Sequence, residues 1–292
     1  MAEYGIPYMG SKDKIARSII SFLPKAENLY DLFGGGFSIT HCAMTFGKNK
    51  YNNFIYNEIK PGNAILIRDS IEGKYNYDVF KPEYITREEF HKRKSHNAYI
   101  SILWSFGNGQ RTYLFGEHIE KQKESLHNAV VFGLFDEFAK TNLKLSKWPN
   151  GFNDIKKRRL YVSQRLKNDI KMKQLLQLLQ LERLPRLERL QQLNLQLNSK
   201  SYEEIEIKNN SVIYCDIPYE GTADYGNSFD RKKFLDWAHN INHPVYISEY
   251  QVGDNRFELV YKIDKRSMLC ATDKSTVKVE KLYWNRKEIN YG

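Results

Sequence analysis

The chain has 292 residues, of which 41% are hydrophobic, enough for a catalytic core and a smaller subdomain. Lysine and arginine outnumber the acidic residues by 45 to 35, and the formal net charge of +10 favours a polyanionic partner. The three widely spaced cysteines exclude a disulfide framework, and no long apolar run predicts a membrane span, so we expect a cytoplasmic protein without a membrane partner.

The N-terminal part of the chain alternates between helical and strand-like patterns. The predicted elements are a helix at 11–23, a strand at 28–33, a glycine loop at 34–36, a helix at 37–44, a strand at 53–57 and a helix at about 62–69. The second strand ends on Glu58. A strand, a glycine loop, a helix and a second strand in this order predict the start of a doubly wound α/β sheet.

The sheet pattern returns only near the C-terminus. The predicted elements there are a strand at 211–215, a helix near 230–240, a strand at 244–248 and an antiparallel hairpin at 257–263 and 278–284. We therefore expect one mostly parallel sheet built from both ends of the chain, with a catalytic domain at 1–60 and 199–292. Residues 61–198 are then an inserted, largely helical region.

Two parts of the insertion have unusual compositions. Residues 156–173 hold eight lysines and arginines against Asp169, which predicts a cationic helix. Residues 175–197 repeat leucine every three positions, a spacing that drifts around an α-helix and gives no straight apolar stripe. A leucine-rich solenoid would need several repeats, so we interpret 175–197 as a connector whose Leu195 and Leu197 re-enter the sheet as a strand.

An acid, a proline and an aromatic follow the buried strand at 211–215. Ligands bind beyond the carboxyl ends of parallel strands, so the tetrapeptide Asp216-Ile217-Pro218-Tyr219 is expected at the mouth of an active site. Taken alone, the same pattern also fits an acid that caps a turn and a tyrosine that packs.

This tetrapeptide resembles the (D/N/S)PP(Y/F/W) signature of methyltransferases that act on adenine N6 or cytosine N4 in DNA. Residues 31–35 resemble that family's DxFxG cofactor loop, and residues 8–12 resemble its N-terminal cofactor motif. The order of these motifs is similar to the Dam-type alpha class, which methylates adenine, and the leucine triplets look like bacteriophage members. The resemblance implies a Rossmann-like methyltransferase fold and site-specific methylation of adenine N6.

The resemblance also implies S-adenosyl-L-methionine as cofactor and assigns residues to its site. Those cofactor-binding residues are Tyr8, Gly10, Ser11, Lys12, Asp31, Phe33, Gly34, Gly35, Glu58, Ser201 and Tyr202. The target base must be flipped out of duplex DNA, where Asp216 and the carbonyl of Ile217 would accept hydrogen bonds from its amine. Pro218 completes the motif, and Tyr219 would stack on the base.

Double-stranded DNA is the expected partner, and two groups of residues are candidates for binding it. Lys156, Lys157, Arg158 and Arg159 carry charge suited to phosphates. Asn108, Gln110 and Arg111 offer amide and guanidinium groups that can read base edges. They lie within or between two stretches, 105–108 and 113–116, that resemble landmarks of the family's recognition region. The histidines show no paired spacing, so no metal is expected.

Two positions depart from the family's pattern. Ile217 stands where a second proline is usual, and Phe37 replaces a glycine of the cofactor loop, whose tight turn we expect from Gly34 and Gly36. These departures motivate one alternative, a catalytically weak DNA-binding homologue. The same site could also methylate cytosine N4 or RNA. We expect a bacterial or phage-infected cell as the setting, while the sequence indicates no oligomeric state.

Overall fold

The computed structural model describes residues 3–165, 183–191, 193–218, 229–265 and 278–291. The chain forms two compact units. The first comprises Met1–Gly5, Ser11–Ala64 and Gln192–Gly292, and the second comprises Ile6–Gly10 and Ile65–Gln191. Tyr219, the cationic residues after 165 and residues 175–182 of the leucine connector lie outside the described residues.

Strands from both ends of the chain form one sheet in the first unit. They are β1 (Asn28–Asp31), β2 (Asn53–Asn57), β3 (Leu195–Asn198), β4 (Ser211–Cys215), β5 (Val245–Glu249), β6 (Glu258–Lys265) and β7 (Lys278–Trp284). Their order across the sheet is β3-β2-β1-β4-β5-β7-β6. Pairing is parallel from β3 to β5, and β7 runs antiparallel to both β5 and β6.

The strand order reverses direction between β1 and β4. From β1 the chain proceeds outward to β2 and β3, and it then returns to β4 on the other side of β1. In doubly wound sheets, the crevice at such a reversal, beyond the carboxyl ends of the strands, is where ligands bind. The topology therefore indicates that the residues after β1 and β4 are candidates for binding a ligand.

The central strands are buried along their whole length, as expected for parallel strands covered on both faces. On one face, Tyr30, Ile213 and Ile247 pack with Phe234 and Leu235 of a helix at Arg231–Asn240. The remaining helices of this unit are α1 (Ala16–Phe22) and α2 (Ser38–Thr45), and α3 (Pro61–Ile71) begins in this unit. The helix at Arg231–Asn240 is α9, since five helices of the second unit precede it.

The second unit contains the other helices of the described chain. They are α4 (Arg87–Arg93), α5 (Ala98–Leu103), α6 (Glu120–Phe132), α7 (Glu137–Leu143) and α8 (Ile155–Arg165). Thr86 and Glu89 form a capping box at the start of α4, and Asp136 caps α7. Tyr84 packs edge to face against both Trp104 and His127. Burial lowers the pKa of His127 to about 4, so this histidine is neutral and contributes to packing.

The sheet elements agree with the sequence prediction in type and order, including the return of Leu195 and Leu197 as a strand. Several boundaries differ by one or more residues, and two of these differences lie in the N-terminal part of the chain. The predicted helix at 11–23 begins only at Ala16, because residues 13–15 form turns. The predicted strand at 28–33 ends at Asp31, where the chain turns into the glycine loop.

Asn57, the last residue of β2, joins three segments at the carboxyl edge of the sheet. Its Nδ2 donates to the carbonyl of Leu32 at 3.1 Å and to that of Lys200 at 3.0 Å. Its Oδ1 accepts from the backbone N–H of Lys200 at 3.0 Å. Because the side chain is buried, truncation leaves buried backbone groups without partners.

We predict that Asn57→Ala lowers the free energy of unfolding by about 1–3 kcal/mol, the penalty for unsatisfied buried polar groups. Urea denaturation at equilibrium measures this change. Asn52→Ala is the control, because Asn52 is exposed shortly before the same strand and its loss should change stability by less than about 0.5 kcal/mol. Equal effects of the two substitutions would contradict the joining role of Asn57.

Candidate functional site

Asp31 ends β1 at the reversal of the strand order, and its side chain is buried. Thr40 Oγ1 donates to Asp31 Oδ2 at 2.7 Å, whereas Oδ1 has no hydrogen-bond partner among the described residues. Burial raises the pKa of Asp31 to about 7, the Thr40 hydrogen bond opposes this shift, and the nearby carboxylates of Asp216 and Glu58 add to it. This carboxyl is thus poised to ionise fully when a cation approaches.

The glycine loop after β1 packs tightly on β2. A Cβ on Gly34 would lie 2.2 Å from Cε2 of Tyr56, so this position admits only glycine without a shift of the ring. The carbonyl of Gly35 accepts from the Tyr56 hydroxyl at 2.8 Å and from Asn63 Nδ2 at 3.1 Å. The loop is therefore held in one conformation by side chains of β2 and α3.

Gly34 and Gly36 lie within a tight turn, in which the backbone N–H of Phe37 donates to the carbonyl of Gly34 at 2.8 Å. The positive φ angles of this turn occur at Gly35, with φ 44°, and at Phe37, with φ 66°. A left-handed conformation costs a non-glycine residue roughly 1–2 kcal/mol. Phe37 is fully buried and packs edge to face on Tyr56, and this burial outweighs the backbone strain.

Glu58 follows β2 directly and binds the glycine loop. Its Oε2 accepts from the backbone N–H of Gly35 at 3.1 Å, and its Oε1 accepts from that of Lys60 at 3.2 Å. Burial raises the pKa of Glu58, and these two backbone hydrogen bonds oppose the shift. A carboxylate has about four lone-pair positions, so Glu58 keeps acceptor capacity for a ligand hydroxyl.

Aromatic rings line the segment that follows β1. Phe33 lies 5.5 Å from Tyr202 and 5.4 Å from Phe234, measured between ring centroids. Tyr202 opens a short 3-10 turn directly after Ser201 and also contacts Trp237 at 5.0 Å. Phe33 and Tyr202 are only partly buried, so their ring edges remain available to an apolar or aromatic ligand.

Asp216 follows β4 and forms an ion pair with Lys12. Lys12 Nζ donates to Asp216 Oδ1 at 2.6 Å and to Oδ2 at 2.7 Å. Ile217 is buried in the core of the sheet, and Pro218 is half-buried, whereas Tyr219 lies outside the described residues. Beside Lys12, the hydroxyls of Ser11 and Ser38 lie 2.7 Å apart.

Lys12 also faces a second carboxylate, which sequence reasoning missed. Glu280 on β7 is fully buried, and its Oε1 lies 3.8 Å from Lys12 Nζ and accepts from Ser248 Oγ at 2.8 Å. Burial lowers the pKa of Lys12, but Asp216 and Glu280 outweigh it, so the net shift is upward. The available signal was an acid at an inward position of the hairpin strand, two residues before the buried Leu282.

The other predicted cofactor residues of the N-terminal motif fall in different units. Tyr8 and Gly10 belong to the second unit, where Gly10 has a φ of 80°, and Ser11 and Lys12 belong to the first. The structure thus brings together Lys12, Asp31, Glu58 and Asp216, whose charges act on one another within the first unit.

The predicted base-reading residues lie in a loop closed by a bridge between Ser105 and Tyr113. Asn108 and Gln110 both adopt left-handed conformations, with φ of 56° and 62°. Asn108 Nδ2 donates to the carbonyl of Ile102 at 3.0 Å, and the backbone N–H of Gln110 donates to Ser105 Oγ at 2.8 Å. Arg111 is exposed beside them.

The four cationic residues at the start of α8 have different environments. Lys156 and Lys157 are exposed, whereas Arg159 is buried. Arg158 is partly buried, lies over the Trp148 ring and donates to the carbonyls of Phe152 at 2.8 Å and Val130 at 3.3 Å. In this structure only the two lysines of the set present their charges to solvent.

In the described part of the chain, no three side chains of the His, Cys, Asp and Glu types converge as ligands for a metal ion. Nor does any helix there combine the length and the apolar composition that crossing a membrane requires.

A comparison with models of protein families matches residues 8–245 to the D12 class N6 adenine-specific DNA methyltransferases. This match spans all three motifs, at 8–12, 31–35 and 216–219, and more than half of the chain. It favours none of the alternatives of cytosine N4, RNA or a non-catalytic homologue. A search of curated proteins found no match. The mostly parallel sheet is that of a Rossmann-like methyltransferase fold, as the resemblance implied. The chain therefore belongs to the family of D12 class N6 adenine-specific DNA methyltransferases.

Proposed function

We propose that this adenine-specific DNA methyltransferase takes its methyl group from S-adenosyl-L-methionine and acts on an adenine flipped out of double-stranded DNA. In this proposal Asp216 and the carbonyl of Ile217 receive the target amine, next to Pro218. The observation that carries it is the position of Asp216, directly after β4 at the reversal of the strand order, beside the loop that follows β1.

The chemistry of the residues after β1 and β2 fits this methyl donor. Glu58 suits the ribose hydroxyls, because a carboxylate accepts hydrogen bonds from a diol. Asp31 suits the ammonium of the methionine part, since its buried Oδ1 has no partner among the described residues. Phe33, Gly34 and Gly35 would surround the methionine part, and Ser201 and Tyr202 would flank the adenine.

The remaining cofactor contacts come from the N-terminal motif. We assign Tyr8, Gly10, Ser11 and Lys12 to positions over the bound donor, on the strength of the motif resemblance. When bound, the donor supplies an electrophilic methyl group on a sulfonium. The protein requires no metal for this chemistry in our proposal.

The target amine is a weak nucleophile because its lone pair is delocalised into the ring. Asp216 and the carbonyl of Ile217 would accept one hydrogen bond from each N6 hydrogen and draw the nitrogen toward tetrahedral geometry. The bound donor would supply the methyl group with its sulfur as the leaving group, so that N6 would gain the methyl carbon, and N6 would release one proton to Asp216, which would pass it to solvent. Tyr219 would stack on the flipped base.

We assign DNA recognition to the insertion, residues 61–198, and catalysis to 1–60 and 199–292. Asn108, Gln110 and Arg111 lie in a loop with a strained backbone, a feature that clusters at functional sites. We propose these side chains as readers of base edges and Lys156 and Lys157 as phosphate contacts. The proposed setting is the cytoplasm of a bacterial or phage-infected cell, as a phage-like member of the alpha class.

We predict that Asp216→Ala lowers the turnover rate by about 10²–10³-fold, since it removes an acceptor that matters most in the transition state. Asp216→Asn is the second variant, in case Asp216→Ala fails to fold, because its neutral amide still offers Lys12 a hydrogen-bond partner. Binding of DNA and of the donor should change little. Mass spectrometry of the nucleosides from methylated duplex DNA gives both the rate and the modified base.

The exposed Asp236→Asn serves as the control for these variants, because Asp236 forms surface ion pairs on α9. Near-normal formation of N6-methyladenine by Asp216→Ala would overturn the proposed role of the tetrapeptide. Methylation of RNA or of cytosine N4 instead of adenine in duplex DNA would overturn the proposed substrate.

We predict that S-adenosyl-L-methionine binds without added metal, and that Phe33→Ala and Glu58→Gln each weaken its binding by about tenfold, a loss of roughly 1.4 kcal/mol. Titration calorimetry measures this affinity. Glu27→Gln is the matched control, because Glu27 is exposed just before the opposite end of β1. If Phe33→Ala or Glu58→Gln reduced DNA binding and left donor binding unchanged, the assignment of the loop after β1 to the methyl donor would be wrong.

We predict that Lys156→Glu and Lys157→Glu each reduce the slope of log affinity for DNA against log salt by about one, whatever the DNA sequence. Fluorescence anisotropy at several salt concentrations measures the slope. Lys140→Glu is the control, because Lys140 lies outside the cationic stretch 156–173 and pairs closely with Glu137 at 2.6 Å, whereas Lys157 lies 3.7 Å from Asp154. Unchanged slopes in both α8 variants would make these lysines ordinary solvated side chains.

A further inference from the structure

The ion pair between Lys12 and Asp216 competes with the role proposed for Asp216. Lys12 Nζ lies within 2.7 Å of both carboxylate oxygens, so the ammonium offsets the negative charge of both. Asp216 keeps lone-pair positions for an amine, but it accepts a hydrogen bond more strongly once Lys12 has moved away from it. Since Lys12 is only 4% exposed, water cannot readily replace the lost partner.

Glu280 offers Lys12 a second carboxylate within short reach. Its Oε1 lies 3.8 Å from Lys12 Nζ, so a movement of about 1 Å by a flexible four-carbon side chain would give a hydrogen bond of ordinary length. Ser248 Oγ donates to the same Oε1 at 2.8 Å and fixes it on the side of Lys12. Both residues are buried in neighbouring strands, β5 and β7.

We propose that Glu280 is a positioning residue for methyl transfer, which takes over the Lys12 ammonium when the target amine binds Asp216. This inference rests on the proposed role of Asp216. In it, Ser248 orients Glu280, Glu280 receives Lys12, and Asp216 becomes a stronger acceptor for the amine. Lys12 remains charged and paired throughout, and no buried charge is left without a counter-ion.

The charges of the cluster also suit the reaction. Lys12 carries one formal positive charge against the two negative charges of Asp216 and Glu280. Methyl transfer places positive charge on N6 before its proton leaves. With Lys12 moved onto Glu280, the charge of Asp216 is available to that nitrogen at the stage when its positive charge develops.

Removal of the Glu280 charge has a defined effect on pH dependence. Lys12 is faced by Asp216 after β4, Glu280 on β7 and Tyr250 after β5. Burial lowers its pKa, and the two carboxylates raise it above the usual value. Loss of one carboxylate must therefore lower the pKa of Lys12. Because a neutral Lys12 would leave the carboxylates of the cluster without a counter-ion, we expect the turnover rate to decline as Lys12 deprotonates, and this alkaline decline should move to lower pH in a variant that lacks the Glu280 charge.

Glu280→Gln tests the proposal, because it removes the charge and keeps the shape. We expect the turnover rate on duplex DNA to fall by about ten- to a hundredfold, the scale seen for partners that orient an active-site group. The KM values for DNA and for S-adenosyl-L-methionine should stay within about twofold, because the hydrogen bond to Asp216 strengthens mainly as positive charge develops on N6. Ser248→Ala should lower the turnover rate in the same direction by a smaller factor.

Glu258→Gln is the matched control, since Glu258 lies on β6 of the same hairpin and is 52% exposed. It should leave the turnover rate and its pH profile unchanged. Glu280→Asp, which keeps the charge on a shorter side chain, should recover part of the rate and restore the alkaline limb. Thermal melting of each variant with and without the methyl donor confirms that it is folded.

The proposal is overturned if folded Glu280→Gln turns over within twofold of the unchanged protein or keeps its pH profile. Should Glu280→Gln fail to fold, Ser248→Ala decides, and a wild-type rate in that variant overturns the proposal. Failure of the proposed function has a different signature. An active Asp216→Ala would remove the role of Asp216 itself, whereas an inactive Asp216→Ala with a normal Glu280→Gln would remove only the inference about Glu280.

Discussion

Several carboxylates lie close together at one edge of the buried sheet in the first unit, and the fold must compensate their mutual repulsion. Three acidic residues lie at the carboxyl ends of neighbouring strands: Asp31 ends β1, Glu58 follows β2 and Asp216 follows β4. Their carboxylates act on one another. Each is compensated by a different means. Asp31 accepts a hydrogen bond from Thr40, and its pKa is raised. Glu58 accepts hydrogen bonds from two backbone N–H groups. Asp216 forms an ion pair with the ammonium of Lys12.

These compensations explain why distant parts of the chain must fold together. Lys12 lies 204 residues before Asp216, and the hairpin strand with Glu280 comes still later in the sequence. A buried carboxylate without its partner would be strongly destabilising, so the N-terminal segment, β4 and β7 are required for the same cluster. The parallel sheet supplies the frame, because it brings the carboxyl ends of separated strands to one edge.

Much of this arrangement could be predicted from the sequence. Apolar runs that end on Asp31, Glu58 and Asp216 indicate strands, and the order of elements indicates which edge their acids share. The pairing of Lys12 with Asp216 could not be derived from composition, because side-chain contacts across 204 residues leave no local pattern. The role of Glu280 was hidden for the same reason, inside a strand that reads as an ordinary hairpin.

Charge counts also failed to show which cations face solvent. Arg158 and Lys157 are neighbours in the sequence, yet the guanidinium of Arg158 binds backbone carbonyls of its own unit, while Lys157 is exposed. The left-handed conformation of Phe37 could not be foreseen either, because the sequence shows three glycines beside it that could each supply the turn. In both cases, packing decides what the local sequence leaves open.

Because burial raises the pKa of Asp31 to about 7, a cationic ligand beside this carboxyl would make binding a proton-linked event near neutral pH. Part of the unliganded molecules would then carry the protonated carboxyl. A cationic group that binds beside Oδ1 favours the ionised form, so its arrival expels a proton from the protonated fraction to the buffer. The heat measured on binding therefore includes the ionisation enthalpy of that buffer. Titrations in phosphate and in Tris, which differ widely in this enthalpy, would report different apparent heats for the same association.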